Sequence, residues 1–394
     1  MIALMLCIFT TCGTVLAQDD FPMISREQVN VKESNQAPAQ DDFAMIYRYD
    51  PGDYSNINPL TGLEIEDVNA LAIPPTLIPL ARFPEKWRPS FGHSGAAWVF
   101  EMYVNADETR PLMLFYGDMP KNAGDGSEAK IGRISSAIFG TESLRKQYGA
   151  TIITTPISKS VLDAGVLSYE NWYGVNYDQL YPTLPVSNLK HIQEKWAKKS
   201  TPADPNNLAY EFSKEAPAEG WKPGKSFHIQ YAPTNRILWE YDEASGTYLR
   251  NQNSSQQANG LSPDVDQNNG KQIGVSNVIV IEIPHVAVPN TPADNHYFDI
   301  NLNYSEELPA YIFRDGKMYE VTWTTISKNF EQQSNRMRPI RFLDKNGNRF
   351  PLRPGQTWVH FVIPDTPLFE VDLPLGDTPK EGSGHWRLNY ISFK

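Results

Sequence analysis

From Ser226 to the C-terminus, short β-type runs alternate with tight-turn signals, and this pattern limits the fold more than any other feature of the chain. The runs are Phe227–Tyr231, Ile237–Tyr241, Thr247–Arg250, Val278–Ile283, Tyr297–Leu302, Ala310–Phe313, Met318–Trp323, Arg341–Leu343, Thr357–Ile363 and Trp386–Ile391. Between them stand Asp242-Glu-Ala-Ser-Gly246, Asn269-Gly270, Asp315-Gly316, Asn346-Gly347 and Pro354-Gly355. Asn-Gly and Asp-Gly pairs suit the left-handed angles of two-residue hairpin turns. Regular strands with hairpin turns predict an antiparallel β-rich domain over residues 226–394, a sandwich or a rolled sheet.

The preceding part reads differently. Ala96–Val104 and Pro111–Tyr116 are aromatic and aliphatic runs separated by turn residues, a predicted strand pair. Ile134–Tyr148 carries apolar residues at helical spacing and ends before Gly149, a C-cap candidate. Thr151–Thr155 reads as a strand and Ser158–Ala164 as a short helix. Val186–Lys199 repeats apolar residues at Leu189, Ile192 and Trp196 behind a Ser187/Asn188 cap candidate. Alternating strands and helices predict a mixed α/β domain over 57–185, joined by a helical connector, 186–225, to the β-rich domain. The expected class is therefore α+β.

Residues 2–16 are apolar but too short and interrupted for a membrane span, which needs about 20 apolar residues. They end at Val15-Leu16-Ala17, a small-residue cleavage pattern, so 1–17 reads as an export signal without a basic start. Both cysteines, Cys7 and Cys12, lie inside it. Cleavage after Ala17 leaves a mature chain without cysteine; lipidation at Cys12 is the alternative, and it decides tethered against released. Residues 18–56 are polar and read as a flexible tether. The tether holds a near-duplicate, Ala17-Gln-Asp-Asp-Phe-Pro-Met-Ile24 and Ala39-Gln-Asp-Asp-Phe-Ala-Met-Ile46, readable as a docking peptide or as local duplication in a tolerant segment.

Charge and motifs exclude several classes. The net charge of −11 argues against nucleic-acid binding. Two cysteines exclude a disulfide scaffold and a Cys-rich metal site. The histidines, His93, His191, His228, His285, His296, His360 and His385, form no ligand-spaced pair. No Gly-x-Ser-x-Gly elbow is present. Pro223-Gly-Lys-Ser226 has the end of a phosphate loop without its first glycine. Asp264-x-Asp266-x-Asn268 has calcium-loop spacing but lacks the required glycine and glutamate, so a hairpin turn at Asn269-Gly270 is the preferred reading. No metal and no cofactor is expected.

Glu101 stands inside an apolar run, where burial raises a carboxyl's pKa or demands a cation. Arg110, beyond the predicted hairpin, is the candidate partner. Trp239, Trp323 and Trp358 fall in predicted strands and read as core; Trp87, Trp172 and Trp221 lie near loops, where a ring can stack on a sugar.

Ordered blocks then bring a family into view. Asn58-Pro-Leu-Thr-Gly-Leu63, Arg88-Pro89-Ser90, Ala96–Glu101, Thr109-Arg110, Lys130-Ile131-Gly132 and Ser136-Ala137 come first. Trp239-Glu-Tyr-Asp242, Gly246-Thr-Tyr-Leu-Arg250, Asp266 before Gly270, Asn277-Val-Ile-Val280, Asp315-Gly316, Trp323, Asp344 with Gly347, Leu352 and Pro354-Gly-Gln-Thr-Trp358 follow. Over residues 58–365 the chain resembles the YerB-like family of bacterial cell-envelope proteins, many of them assigned as lipoproteins. The resemblance implies compartment and architecture, and the family has no established reaction. The family pattern Lys-Ile-Gly-Pro-x-Arg-Ser-x-Arg is altered here: Arg133, Ser135 and Ile138 stand where Pro, Arg and Arg would be. A family His-x-Asp pair reads Asp264-Val-Asp266, and a Gly-x-Gly segment after the Asn277 strand is not evident.

The expected function is a non-catalytic, exported module that binds a cell-wall glycan or an envelope protein, with no membrane span in the mature chain. The rival is an envelope hydrolase using Glu101 or Asp266 as acid or base. Ligand candidates are Arg88, Glu101, Arg110, Ser136, Asp266 and Asn277. Two carboxylates, or a carboxylate with Arg88 or Arg110, converging in one open cleft favour the enzyme; a closed pair with no cleft favours the binder.

Overall fold

The hairpin predicted in the first half is present as Trp98–Asn105 and Glu108–Phe115, but its outer neighbour comes from the far end of the chain. Thr357–Val362 runs parallel to Trp98–Asn105 on one side and parallel to Asn277–Glu282 on the other. This is seen in a computed structural model describing residues 56–390, except 106, 122–126, 158, 160, 161, 163–171, 176–180, 200–202, 204, 258–259, 289–297, 301, 303–306 and 326–337. The export signal, the duplicated octapeptide and nearly all of the tether lie outside these residues. So do most of the predicted Ser158–Ala164 helix and part of the Tyr297–Leu302 strand.

The larger sheet has eleven described strands. Its order is Arg341–Leu343, Lys317–Thr324, Leu308–Arg314, Asn277–Glu282, Thr357–Val362, Trp98–Asn105, Glu108–Phe115, Thr76–Pro79, Thr151–Thr154 and Trp172–Gly174, with Trp221–Pro223 added beside Lys317–Thr324. A second sheet of seven described strands runs Leu261–Pro263, Thr247–Asn253, Asn235–Asp242, Ser226–Ala232, His385–Asn389 and Leu368–Val371, with Gly274–Val275 beside Thr247–Asn253. Its strands are not all antiparallel, because His385–Asn389 runs parallel to Ser226–Ala232.

The α+β class is therefore corrected: the described chain is mostly β, and the first half is not a mixed α/β layer. The helix predicted over Ile134–Tyr148 is confined to Thr141–Tyr148. Ile134 and Ser136 instead make bridges with Leu80 and Thr155. Apolar spacing there is compatible with either period, and a sheet edge with open hydrogen bonds took the segment. Gly149 does cap that helix in a left-handed conformation, its N–H reaching the Arg145 and Lys146 carbonyls. The second helix, Val186–Ala197, starts after Pro185 with no side-chain cap; Ser187 instead gives its backbone N–H to Glu128, at 2.7 Å. In the second half, Asp315 and Gly316 both take positive φ, as a tight Asp-Gly hairpin requires.

Strand alternation divides the apolar residues between two faces. Trp98, Phe100, Met102 and Val104 join Val359 and Phe361 in the core on one side of the large sheet. Val99, Tyr103, Trp358 and Val362 face the other way, against Phe227, Ile229, Trp239 and Tyr248 of the second sheet. The two sheets thus pack face to face through this second core. Trp239, Trp323 and Trp358 are fully buried, as their strand positions predicted. No described helix is long and apolar enough to cross a membrane.

Candidate functional site

Period two places Glu101 on the same face as Val99 and Tyr103, so it enters the space between the sheets. The opposing strand Thr247–Asn253 points Tyr248, Arg250 and Gln252 into that space and leaves the residues between them partly exposed. A buried carboxylate demands a cation here, and Arg250 supplies it. Its Nη2 donates to Glu101 Oε2 at 3.1 Å and to Oε1 at 3.4 Å. Arg250 and Glu101 are 0 % and 1 % exposed, so the pair is sealed.

The expected partner, Arg110, does not meet Glu101. On strand Glu108–Phe115 it pairs with Glu108 at 2.7 Å and donates to the Ser136 carbonyl at 3.1 Å. Residue 110 stands opposite Met102 in the hairpin, one step out of phase with Glu101, and so points away from it. Arg110 and Ser136 form a separate contact, with Ser136 Oγ accepting at 3.3 Å.

The network extends around Glu101. Thr109 Oγ1 and Trp358 Nε1 donate to it at 2.8 and 2.9 Å. Arg250 also donates to Gln252 Oε1 at 2.7 Å and to Asp264 Oδ2. Arg82 donates to the same Asp264 oxygen, to Gln252 Oε1 at 3.1 Å and to Ser90 Oγ at 2.9 Å. Burial alone would raise the Asp264 carboxyl; the Arg82 and Arg250 guanidinium groups hold it well below the usual range. Burial likewise opposes ionisation of Glu101, and Arg250 leads the groups that bring its pKa below the ordinary value.

Two neutral imidazoles complete the network. Trp239 Nε1 can only donate, so His360 Nε2 accepts at 2.9 Å and its proton sits on Nδ1, 3.0 Å from Tyr231 Oη. Burial lowers the His360 pKa to about 4, so the 3.8 Å approach of its Nδ1 to Glu101 is no ion pair at neutral pH. His93 accepts from Arg82 Nη1 at Nε2, 3.0 Å away, and stacks on Trp358 at 5.8 Å. Burial, then the charge of Arg82, brings its pKa down to about 3.

Asp266 is also buried but serves a turn. It accepts from the Gly92, Ser94 and Asn268 backbone N–H groups at 3.0, 2.9 and 3.0 Å, and from Ser94 Oγ at 2.6 Å. Asp264 and Asp266 therefore face different partners, one arginines and the other amides. Asn277 is buried as a loop brace: it donates to the Arg353 carbonyl at 2.8 Å and to Thr357 Oγ1 at 3.1 Å, and accepts from the Arg353 N–H at 2.9 Å.

Of the named candidates, Arg88 lines an open cleft. The cleft, of about 490 Å³, lies between residues 85–89 on one side and residues 253–256 and 262–265 on the other, with Glu85, Arg88, Ser254, Ser262 and Asp264 among its walls. Arg88 Nε is buried without a hydrogen-bond partner. Burial, then the charge of Arg82, lowers its pKa to about 10, so it stays cationic at pH 7.

Sequence reasoning missed Arg82, Arg250, Trp358, His93 and His360 as a connected set. One signal was readable: Arg250 shares alternation with Tyr248, which assigns a guanidinium to the buried face. Trp87 packs edge-on to Tyr181 at 4.7 Å, whereas Trp221 stays 45 % exposed beneath Lys317. The side chain of Trp172 lies outside the described residues.

A mostly β chain whose two sheets close over an arginine–carboxylate network is the class that this fold and site define. Residues 227–359 match the family described as a protein of unknown function (DUF3048), C-terminal domain. That span holds Arg250, Asp264 and Trp358, while their partners Arg82 and Glu101 come from outside it. The crystal structure of the YerB protein from Bacillus subtilis is similar in fold, with a TM-score of 0.58 and 20 % sequence identity over 78 % of this chain and 96 % of that one. No curated protein matches the chain. The fold is YerB-like, in line with the resemblance of the ordered sequence blocks, and the matched domain is described as one of unknown function.

Proposed function

We propose that this chain is an exported cell-envelope module that binds a cell-wall glycan without acting on it. The observation that carries the reading is the contrast between the sealed network and the open cleft beside it. Glu101 and Asp266, the candidate acid–base residues, have their carboxylates saturated by donors and shielded from water. A general acid or base must reach the proton it transfers, and these two do not face a cleft. The polar cleft at Arg88 offers a bound ligand both donors and acceptors. The apolar start of the chain and its polar tether support export.

The test is retention of the purified mature chain on insoluble cell-wall material, with release of soluble muropeptides followed in parallel. Retention without release supports the binding reading. Release that Glu101→Gln abolishes in a still-folded chain overturns it in favour of the hydrolase. Neither retention nor release redirects the reading to an envelope protein partner.

A further inference from the structure

The guanidinium groups around Asp264 are not all held in ion pairs. Arg82 and Arg250 are matched by Asp264 and Glu101, two guanidinium groups against two carboxylates. Arg88 is a third guanidinium, on whose charge Arg82, Asp264, Arg250 and Glu85 all act. It forms no ion pair with any described residue, and its Nε is buried and unpartnered. Glu85 lines the same cleft, but its carboxylate crosses to the opposite wall and accepts the Ser255 backbone N–H at 3.1 and 3.3 Å. On the cleft floor, both arginine bonds to Asp264 end on Oδ2, which leaves Oδ1 as an acceptor. The walls add Ser254 and Ser262, which are hydroxyl donors and acceptors.

We infer that the cleft is an oxyanion subsite, in which Arg88 takes the carboxylate or phosphate of a hydroxylated ligand while Asp264 Oδ1 accepts from a neighbouring hydroxyl. A sugar acid and a sugar phosphate share this chemistry. Guanidinium suits it because its planar fork meets two oxygens of either group. Glu85 sets a limit on the site: its own negative charge opposes the incoming anion. The inference deepens the binding reading and rests on it only in drawing the ligand from wall glycan.

The experiment is calorimetric titration of the full chain with glucuronate, glucose 6-phosphate and glucose. At least one anion is expected to bind saturably, with glucose at least tenfold weaker. Stronger glucuronate binding assigns a carboxylate source, and stronger glucose 6-phosphate binding a phosphoryl source. Arg88→Gln should weaken the anion at least tenfold with an unchanged unfolding midpoint, since Arg88 anchors no described partner. Arg88→Lys should be intermediate, and Glu85→Gln should tighten binding. Equal binding of glucose, no binding of either anion, or indifference to Arg88→Gln overturns the inference. Wall retention tested alongside separates the two readings. Retention without anion binding fails the subsite alone, and anion binding without retention fails the wall module alone.

Discussion

The guanidinium of Arg250 lies over the indole of Trp358, 4.6 Å from the ring centroid, and both side chains donate to one acceptor, Glu101. The indole face stabilises the cation while its N–H stabilises the anion that the cation pairs with. Neither group reaches water, so each depends on the other for its polar partners. The large sheet supplies Glu101 and Trp358 and the second sheet supplies Arg250.

Removing Arg250 should therefore be costly. Arg250→Met leaves Glu101 and Asp264 buried with too little compensation, and breaking such a pair costs about 3–5 kcal/mol. Trp358→Phe keeps a ring under the guanidinium and loses one donor to a charged acceptor, so a smaller loss of about 1.5–3 kcal/mol is expected. Urea unfolding of both variants checks the order. A loss below ~1 kcal/mol for Arg250→Met would show that the network does not hold the sheets together.

Stability should fall on acidification before the carboxylates titrate. The folded pKa of His360 is about 4 and that of His93 about 3, against an ordinary value of 6.5. His228 and His285, also lowered by burial, stand at about 4. Between 6.5 and these values the unfolded chain binds more protons, so stability is lost as pH falls through that window. Glu101 and Asp264, depressed in the folded state, add a further loss as pH drops below the ordinary carboxylate range. Melting temperature followed from pH 8 to pH 4 should be flat above 7 and decline below 6.5. His360→Gln should reduce the slope between 6.5 and 4; an unchanged slope would remove this histidine from the account.

Asp266 should act locally, by tying the 92–94 segment to its own turn. Asp266→Ala strips acceptors from Gly92, Ser94 and Asn268, and hydrogen bonds to a charged group are worth about 1.5–3 kcal/mol each without being additive. A total loss of about 3 kcal/mol is expected, with Asp266→Asn milder. Hydrogen exchange should speed up at the Gly92 and Ser94 amides. Uniform acceleration across the chain instead would mean a global role.

Two glycines should respond differently to the same change. A Cβ on Gly132 (φ +146°) would lie 2.6 Å from the Pro182 carbonyl oxygen and 2.9 Å from Thr183 Cα. Gly149 (φ +58°) has nothing within 4 Å of its Cβ position. Gly149→Ala should cost about 1 kcal/mol for the left-handed angle alone, and Gly132→Ala several times more. Thermal melts of the pair measure the difference, and equal costs would show that the backbone at Pro182 and Thr183 yields.

The amino-acid sequence by itself determined the local elements of this protein. Strand runs in the second half, the Asp315-Gly316 turn and the Gly149 cap follow from alternation, backbone angles and capping within a few residues of one another. It also marked Glu101 as a carboxylate needing a cation. Tertiary structure alone decided which cation. Arg250 lies 149 residues away, and it reaches Glu101 because the second sheet folds over the first. The same holds for Thr357–Val362, whose insertion between Trp98–Asn105 and Asn277–Glu282 makes one sheet from both parts of the chain. Parallel pairing needs a long crossover and leaves no turn signal to read, whereas a hairpin writes its partner into the next few residues.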